Sequence, residues 1–377
     1  MHVFWVTGES SGDRHAAHLI RELKRLQPEW THGGMGGEAM RREGVTLSAD
    51  LKEAALMGLT EVIRHLPRLF RLRNRLIDAI VDSGAQLVVL VDFPDFNMGV
   101  ARSLRVRLGR QIPILYYVSP QVWAWRRGRI KTIAKLVDAM AVLFPFEVDV
   151  YRPHGLETVF FGHPLVGEVK PSAPVPELRK QFGLLGDEQA VALLPGSREQ
   201  EVRRHLPVQL AAVNRLRSRL TEPVKVLLAQ ANTVDRKLLE QLSAGIPDVT
   251  IVDNARDALA TSRVGLVKSG TSTIEALLIG TPYVVMYIVS PLTYRIAKLL
   301  IRGVKYIAMV NVLANREIVP EHIQDDANPQ RLAQDLERLW DSEDRDKMTQ
   351  RLHDLSSSLG EPGSTERLAM WMAERFG

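Results

Sequence analysis

The sequence predicts an α/β protein built as two parallel-sheet halves, and three observations carry that prediction. Short apolar runs of strand length alternate with amphipathic segments of helix length throughout the chain, the pattern of parallel sheets covered on both faces. The alternation breaks once, around residues 163–187, where Pro164, Pro171, Pro174 and Pro176 fall in a polar stretch. Several strands also run straight into turns rich in glycine and hydroxyls. In open α/β sheets, ligands collect beyond the carboxyl ends of the strands, where such turns lie.

The first half opens with strand 3–6 (VFWV), a turn, and a helix over about 12–26. That turn, Thr7-Gly8-Glu9-Ser10-Ser11-Gly12-Asp13, combines glycines, hydroxyls and two carboxylates. Glu9 or Asp13 suits binding a sugar hydroxyl or acting as a base, and Asp13 equally suits a helix N-cap. Gly33-Gly34-Met35-Gly36-Gly37 lacks dinucleotide spacing and reads as a loop near a ligand, or as a turn. Residues 61–77 carry five arginines against Val62, Ile63, Leu66, Leu69, Phe70, Leu76 and Ile77 at helical spacing. Such a helix either faces the core with a solvated basic side or lies on anionic lipid.

Strand 87–92 (LVVLVD) ends at Asp92, where a general base would project from a sheet. Asp95, at the start of helix 97–109, suits capping better. Strand 113–118 leads into Ser119-Pro120-Gln121-Val122-Trp123-Ala124-Trp125-Arg126, whose aromatics suit stacking on a sugar, touching acyl chains or packing in the core. Strands 139–143 and 158–161 follow. Phe161-Gly162-His163-Pro164 closes the half, with His163 near an expected interdomain cleft.

The second half begins with strand 190–194 (AVALL) and Pro195-Gly196-Ser197-Arg198, an anion-type turn whose arginine fork fits diphosphate oxygens. Strands 224–229, 249–252, 264–267 and 283–288 alternate with helices 201–220, 233–243 and 272–279. The second anion-type turn is Lys268-Ser269-Gly270-Thr271-Ser272, at the start of helix 272–279. There free N–H groups and the helix dipole suit a phosphate. Glu275 lies one turn in, where a carboxylate could accept from a ribose diol. Two such turns suggest one nucleotide diphosphate. No Walker loop is present. Residues 292–305 form a second basic amphipathic segment, and a last helix near 364–376 has room to return to the first half.

Composition bounds the chemistry. The 377 residues are 45% hydrophobic, enough for two or three domains. The absence of cysteine excludes disulfides, thiolate zinc sites and cysteine nucleophiles, and the ten histidines form no HExxH pattern. No metal or cofactor is expected. No signal peptide and no membrane span is read from the sequence. A formal charge of +5 and a pI near 9.4 point to an anionic partner. No nucleic-acid motif accompanies that charge.

Seven segments together resemble the lipid-A-disaccharide synthases, inverting glycosyltransferases of the GT-B architecture. They are GESSGD at 8–13, VDFPDFN at 91–97, YYVSPQVWAWRRGRI at 116–130, FGHP at 161–164, LLPGSREQEV at 193–202, SGTSTIEALL at 269–278 and NVLANREIVPEHIQ at 311–324. The resemblance implies a GT-B fold: two Rossmann-like parallel-sheet domains facing across a cleft, with the C-terminal helix packing back on the N-terminal half. The expected division is an acceptor- and membrane-facing domain at 1–165, a linker at 166–189, a UDP-sugar domain at 190–355 and a returning segment at 356–377. It implies transfer of 2,3-diacylglucosamine from UDP to the 6-hydroxyl of 2,3-diacylglucosamine 1-phosphate.

On that resemblance Asp92 is the base, with Glu9 beside it. Gly8, Ser11 and Asp13 line the acceptor side, and Gln121, Trp123 and His163 the cleft. Gly196, Ser197, Arg198, Ser269, Gly270, Thr271 and Ser272 hold the diphosphate, Glu275 the ribose, and Asn311 and Arg316 the diphosphate or donor sugar. It further implies a cytoplasmic protein on the inner-membrane surface, bound through Arg64, Arg68, Arg71 and Arg75, and a homodimer with exchanged C-terminal segments. Lys268 departs from the expected small or apolar residue, and after 340 only helical character matches. The competing readings are another GT-B UDP-sugar enzyme, such as a 2-epimerase or a lipid-linked glycosyltransferase, and a non-catalytic UDP-sugar-binding regulator.

Overall fold

A computed structural model describes residues 1–55, 62–123, 128–300 and 305–377. Among them the chain forms two compact units, one of Met1–Val166 with Gly360–Gly377 and one of Gly167–Leu359.

Unit 1 holds seven parallel strands: β1 (His2–Thr7), β2 (Thr31–Gly36), β3 (Thr46–Asp50), β4 (Leu87–Val91), β5 (Ile114–Tyr117), β6 (Ala139–Ala141) and β7 (Glu157–Val159). Their order across the sheet is β3-β2-β1-β4-β5-β6-β7. Because side chains alternate along a strand, Phe4 and Val6 enter one core and Val3 and Trp5 the other. Helices Val62–Asp82 and Pro94–Leu108 cover the first face, burying Leu72, Leu76, Ile80, Val100 and Leu104. Each such side chain contributes about 1.5–3 kcal/mol of hydrophobic stabilisation.

Helix Ser10–Leu26 covers the other face. The last helix, Ser364–Phe376, packs beside it: Leu368, Ala369 and Met372 join Leu19, Ile20 and Leu23 in one buried cluster. Arg367 donates to the Phe161 carbonyl at 2.7 Å, and Arg375 pairs with Glu157 at 3.1 Å. The C-terminal helix therefore returns to the N-terminal half.

Unit 2 holds β8 (Gln189–Leu194), β9 (Val224–Ala229), β10 (Val249–Val252), β11 (Val264–Lys268), β12 (Tyr283–Tyr287) and β13 (Glu321–Ile323), in the order β10-β9-β8-β11-β12-β13, all parallel. In each sheet the order reverses between two central strands, β1 and β4 or β8 and β11. A ligand crevice opens at such a reversal.

Three sequence expectations need adjustment. Gly33–Gly37 is not a free loop, since Gly33–Gly36 belong to β2. A Cβ on Gly34 would meet the Trp5 carbonyl oxygen at 2.1 Å, so glycine is what lets β2 lie against β1. Strands β2, β3 and β13 escaped the apolar-run criterion because β2 is glycine-rich and β3 and β13 are polar. Finally, the stretch expected as a linker at 166–189 carries helix Val175–Gln181 with Leu178 buried, and the Ser172 N–H and hydroxyl both donate to Asp257 at 2.7 and 2.6 Å. The prolines there start a helix, at whose first turn a missing N–H costs nothing.

Candidate active site

In unit 1 the carboxyl ends of β1 and β4 lie side by side, with Thr7 registered against Val91. The chain leaves β4 through two consecutive left-handed residues, Asp92 and Phe93, both at φ 49°. Such backbone is costly for residues with a Cβ and persists only when its surroundings impose it. Here the Asp92 carbonyl accepts from Asn97 Nδ2 at 2.7 Å and from the Tyr116 hydroxyl at 2.6 Å. The Asp92 N–H donates to the Tyr117 carbonyl at 3.0 Å. Asn97 Nδ2 also reaches the carbonyls of Val6 and Val91, at 3.3 and 3.2 Å, tying β1 to β4. Gly8 completes the turn, because a Cβ there would sit 2.1 Å from the Phe93 ring.

These backbone bonds fix where the Asp92 carboxyl emerges at the reversal. Burial, reinforced by the nearby negative charge of Glu9 and opposed by the Phe93 N–H, pushes its pKa up to about 6. Glu9 is exposed and occupies the N-cap of helix Ser10–Leu26, with Ser11 half-buried behind it. A carboxylate that titrates near neutrality can carry a proton in either direction at working pH.

Asp13 has a different position from the one expected. It is buried, and its oxygens accept the N–H groups of Gly37, Ala39 and Met40 at 2.7, 2.9 and 3.3 Å. It caps not its own helix but the short helix Glu38–Arg42, and Gly37 lets the carboxylate approach, since a Cβ there would lie 2.8 Å from Asp13 Oδ2. These three bonds tie helix Ser10–Leu26 to the start of helix Glu38–Arg42.

After β5, Val118 is again left-handed at φ 66°, and Gln121 is exposed. Trp123 is half-buried; its indole N–H donates to Glu147 Oε1 at 3.2 Å and its ring meets Phe146 edge-on at 5.0 Å. His163 is buried 5.3 Å from the Phe144 ring, and its Nδ1 accepts the Leu165 N–H at 3.2 Å. Trp125 and Arg126 lie outside the described residues. Sequence reasoning missed Glu147, which nothing but its place in the fold marks.

In unit 2 both anion-type turns fall at the carboxyl ends of adjacent strands β8 and β11. Gly196 and Gly270 take φ of 130° and 153°, conformations that favour glycine. The Arg198 side chain is 74% exposed and 3.8 Å from Glu201, while the Glu201 carboxylate folds back to accept the Ser197 N–H at 3.2 Å. Thr271 is the N-cap of helix Ser272–Ile279 without a side-chain cap. The Thr273 and Ile274 N–H groups already donate to the Gly270 and Thr271 carbonyls at 3.0 and 2.9 Å, so the donors this turn offers a ligand are those of Gly270–Ser272. Ser269 is half-buried, its hydroxyl 3.4 Å from the Ile307 carbonyl.

Lys268 neither faces solvent freely nor stands alone. Its ammonium pairs with Glu201 at 3.0 Å and sits 5.4 Å over the Tyr287 ring, bridging the two turns. Burial alone would raise the Glu201 pKa; Lys268 and the Ser197 N–H outweigh it, so the net shift is downward. Gln209, buried, reaches the carbonyls of Leu194 and Leu266 at 3.4 and 3.1 Å and ties β8 to β11.

Glu275 accepts from Arg256 Nε at 3.0 Å. Asn311 turns its amide to the backbone. It is fully buried, its Oδ1 accepting from Ile318 and Val319 N–H at 2.7 and 3.0 Å and its Nδ2 donating to the Val319 carbonyl at 2.8 Å. Its amide is spent on the backbone that carries the exposed Arg316.

A family model described as lipid-A-disaccharide synthetase matches residues 3–373. The chain is 42% identical over 372 residues to the lipid-A-disaccharide synthase of Syntrophus aciditrophicus, covering 98% of this chain and 96% of that one. It is 41% identical over 374 residues to the lipid-A-disaccharide synthase of Geobacter sulfurreducens, covering 99% and 96%. In fold it is similar to the UDP-GlcNAc 2-epimerase from Neisseria meningitidis bound to UDP-GlcNAc, with a TM-score of 0.66 at 12% identity over 99% and 100% of the two chains.

Proposed function

The chain belongs to the lipid-A-disaccharide synthase family, and from that membership we propose the inverting transfer of 2,3-diacylglucosamine from UDP to the 6-hydroxyl of 2,3-diacylglucosamine 1-phosphate. The observation that carries the chemistry is the Asp92 turn, a carboxyl poised to titrate near pH 6. The acceptor hydroxyl attacks the anomeric carbon on the face opposite the diphosphate. Its proton passes to Asp92 as the new C–O bond forms, and the bond to the diphosphate breaks with its electron pair leaving on UDP. The product is the β-1,6-linked disaccharide 1-phosphate.

Unit 2 supplies the stabilisation of that leaving group. Arg198 and the N–H groups of the Gly270–Ser272 turn are donors of the kind that relieve developing diphosphate charge. Glu275, braced by Arg256, is assigned to the ribose. Gly8, Ser11, Gln121 and Trp123 are assigned to the acceptor side. Asp13 and Asn311 position backbone, and Arg316 is carried at the tip that Asn311 holds.

The acylated substrates call for a lipid surface, and helix Val62–Asp82 suits it. Arg68 and Arg71 are exposed around Phe70, which is 49% exposed, and Val106 on the neighbouring helix is 84% exposed. Cations around apolar side chains match the headgroup boundary of an anionic membrane. Arg75 instead pairs with Glu53 at 2.9 Å, and Arg64 is assigned by sequence position alone. Among the described residues no helix is long and apolar enough to cross a membrane.

The test is direct. Purified protein is incubated with UDP-2,3-diacylglucosamine and 2,3-diacylglucosamine 1-phosphate in detergent, and the tetraacyl disaccharide phosphate is followed by mass spectrometry beside Asp92→Asn. Product from wild type alone supports the reading. No product despite UDP-sugar binding overturns the acceptor assignment.

A further inference from the structure

Glu147 is a buried acid that the transfer chemistry leaves unused. It is 2% exposed on the short helix Phe146–Tyr151 and, among the described residues, faces no arginine or lysine at ion-pair distance. Burying a carboxylate without a cation costs several kcal/mol, so such groups are retained where their hydrogen bonds matter. Each Glu147 oxygen has an N–H donor: Trp123 Nε1 on Oε1 at 3.2 Å and the Phe144 N–H on Oε2 at 3.2 Å.

Those two bonds join segments far apart in sequence. Trp123 lies in the loop after β5, and Phe144 in the loop after β6. The Phe144 ring stacks on Phe146 at 6.0 Å and lies 5.3 Å from His163, while Trp123 meets Phe146 edge-on at 5.0 Å. Trp123, Phe146, Phe144 and His163 thus form a continuous aromatic wall, and Glu147 is the polar clasp behind it.

We propose that Glu147 is a positioning residue for the acceptor side: its carboxylate fixes the Trp123 indole and, through Phe144, the rest of this wall in the orientation that receives the acceptor's sugar or acyl chains. The proposal rests on the acceptor assignment of Trp123 made above. Glu147 touches no reacting atom and acts through Trp123.

The clasp has a pH signature. Burial, only partly offset by the donors from Trp123, Phe144 and Ser119, pushes Glu147 up to about 7. Among the described residues the Tyr151 phenol faces it, bonded to Ser119 at 2.8 Å and raised further above its ordinary range by burial, and the His163 ring lies on the far side of Phe144, 5.3 Å from that ring. Tyr151 stays neutral across the range where Glu147 titrates. Above neutrality the ionised carboxylate accepts from both N–H groups at full strength; below it, protonation weakens at least one of the two bonds.

The experiment compares wild type, Glu147→Gln, Glu147→Ala and Trp123→Phe. KM is measured separately for the UDP-sugar and for the acceptor, and tryptophan fluorescence is titrated from pH 5.5 to 8.5. The expected result is an acceptor KM raised about tenfold in Glu147→Gln, with the UDP-sugar KM within about twofold of wild type. Glu147→Ala has the larger effect. Wild type shows a fluorescence transition near neutrality that both Glu147→Gln and Trp123→Phe lose.

An unchanged acceptor KM in Glu147→Gln, with Trp123→Phe impaired, overturns the clasp while the acceptor assignment stands. Trp123→Phe with wild-type kinetics overturns that assignment and the proposal together. Equal losses toward both substrates with a lowered Tm make Glu147 merely structural. Because Gln is isosteric and keeps one acceptor oxygen, it tests the clasp even where Glu147→Ala fails to fold.

Discussion

The two strand-order reversals, β1/β4 in unit 1 and β8/β11 in unit 2, are built alike and charged oppositely. Each is pinned by one buried side-chain amide that bonds to carbonyls of both central strands: Asn97 to Val6 and Val91, Gln209 to Leu194 and Leu266. Beyond that shared brace they diverge. The β1/β4 end presents Glu9 and Asp92, with Asp92 raised by burial and by its neighbour. The β8/β11 end presents Arg198, the Lys268–Glu201 pair and the uncapped start of a helix. The fold decides where a ligand can sit, and a few turn residues decide the sign of the field it meets. One end suits taking up a proton, the other receiving a departing anion.

The largest effect should come from the acidic end. Asp92→Asn is expected to lower turnover about a thousandfold, the scale of losing a general base, with UDP-sugar affinity nearly unchanged. Lost UDP-sugar binding in calorimetry would break the division of labour between the two ends. The same variant should melt higher than wild type at pH 8. A carboxyl whose folded pKa lies above its unfolded value favours the fold below about pH 4, and loses that contribution as pH rises through about 6. Asparagine removes the cost, by about 1–2 kcal/mol after solvent screening, and the difference in Tm should shrink as pH falls from 6 to 4.

At the basic end, Arg198→Ala should weaken UDP binding and turnover together, by about 1.5–3 kcal/mol for a charge-assisted contact. Unchanged kinetics would remove Arg198 from the site. The shared brace supplies the next test. Asn97→Leu and Gln209→Leu each leave buried carbonyls without a donor and should each cost about 1–3 kcal/mol in urea unfolding. Asn97→Leu should also impair turnover more than Gln209→Leu, since Asn97 Nδ2 holds the left-handed Asp92 itself. Equal turnover in the two variants would mean that the Asp92 turn keeps its geometry without its amide.

The smallest effect concerns Glu9. Removing its charge in Glu9→Gln should move the acid limb of the kcat/KM profile below pH 6, because one of the two causes holding the Asp92 pKa up is gone. An unshifted limb would leave burial as the sufficient cause.

Ten strands were legible because they lie in apolar runs of the sequence, most of them buried on both faces; β7, only three residues long and half-exposed, was legible from Val159 and the Phe160-Phe161 that follow it. Strand β2 was not, because it is glycine-rich, and its Gly34 is dictated by the close approach of Trp5, a contact 29 residues away along the chain. The anion-type turns were legible because glycine followed by hydroxyls at a strand end has a local physical meaning. Asp13 looked like a ligand group from its strand-end turn and Asn311 from the family resemblance, yet both accept backbone N–H groups, those of Gly37, Ala39 and Met40 for Asp13 and of Ile318 and Val319 for Asn311.

The sequence by itself determined the α/β alternation, the two turns at strand ends and the family motifs, all properties of neighbouring residues. Only the tertiary structure decided which polar side chains remain free for a ligand. It buried Asp13, paired Lys268 with Glu201, braced Glu275 with Arg256 and set Glu147 behind Trp123. The physical reason is that a polar group's availability depends on the partners that packing brings within 3 Å, and most of those partners come from distant parts of the chain.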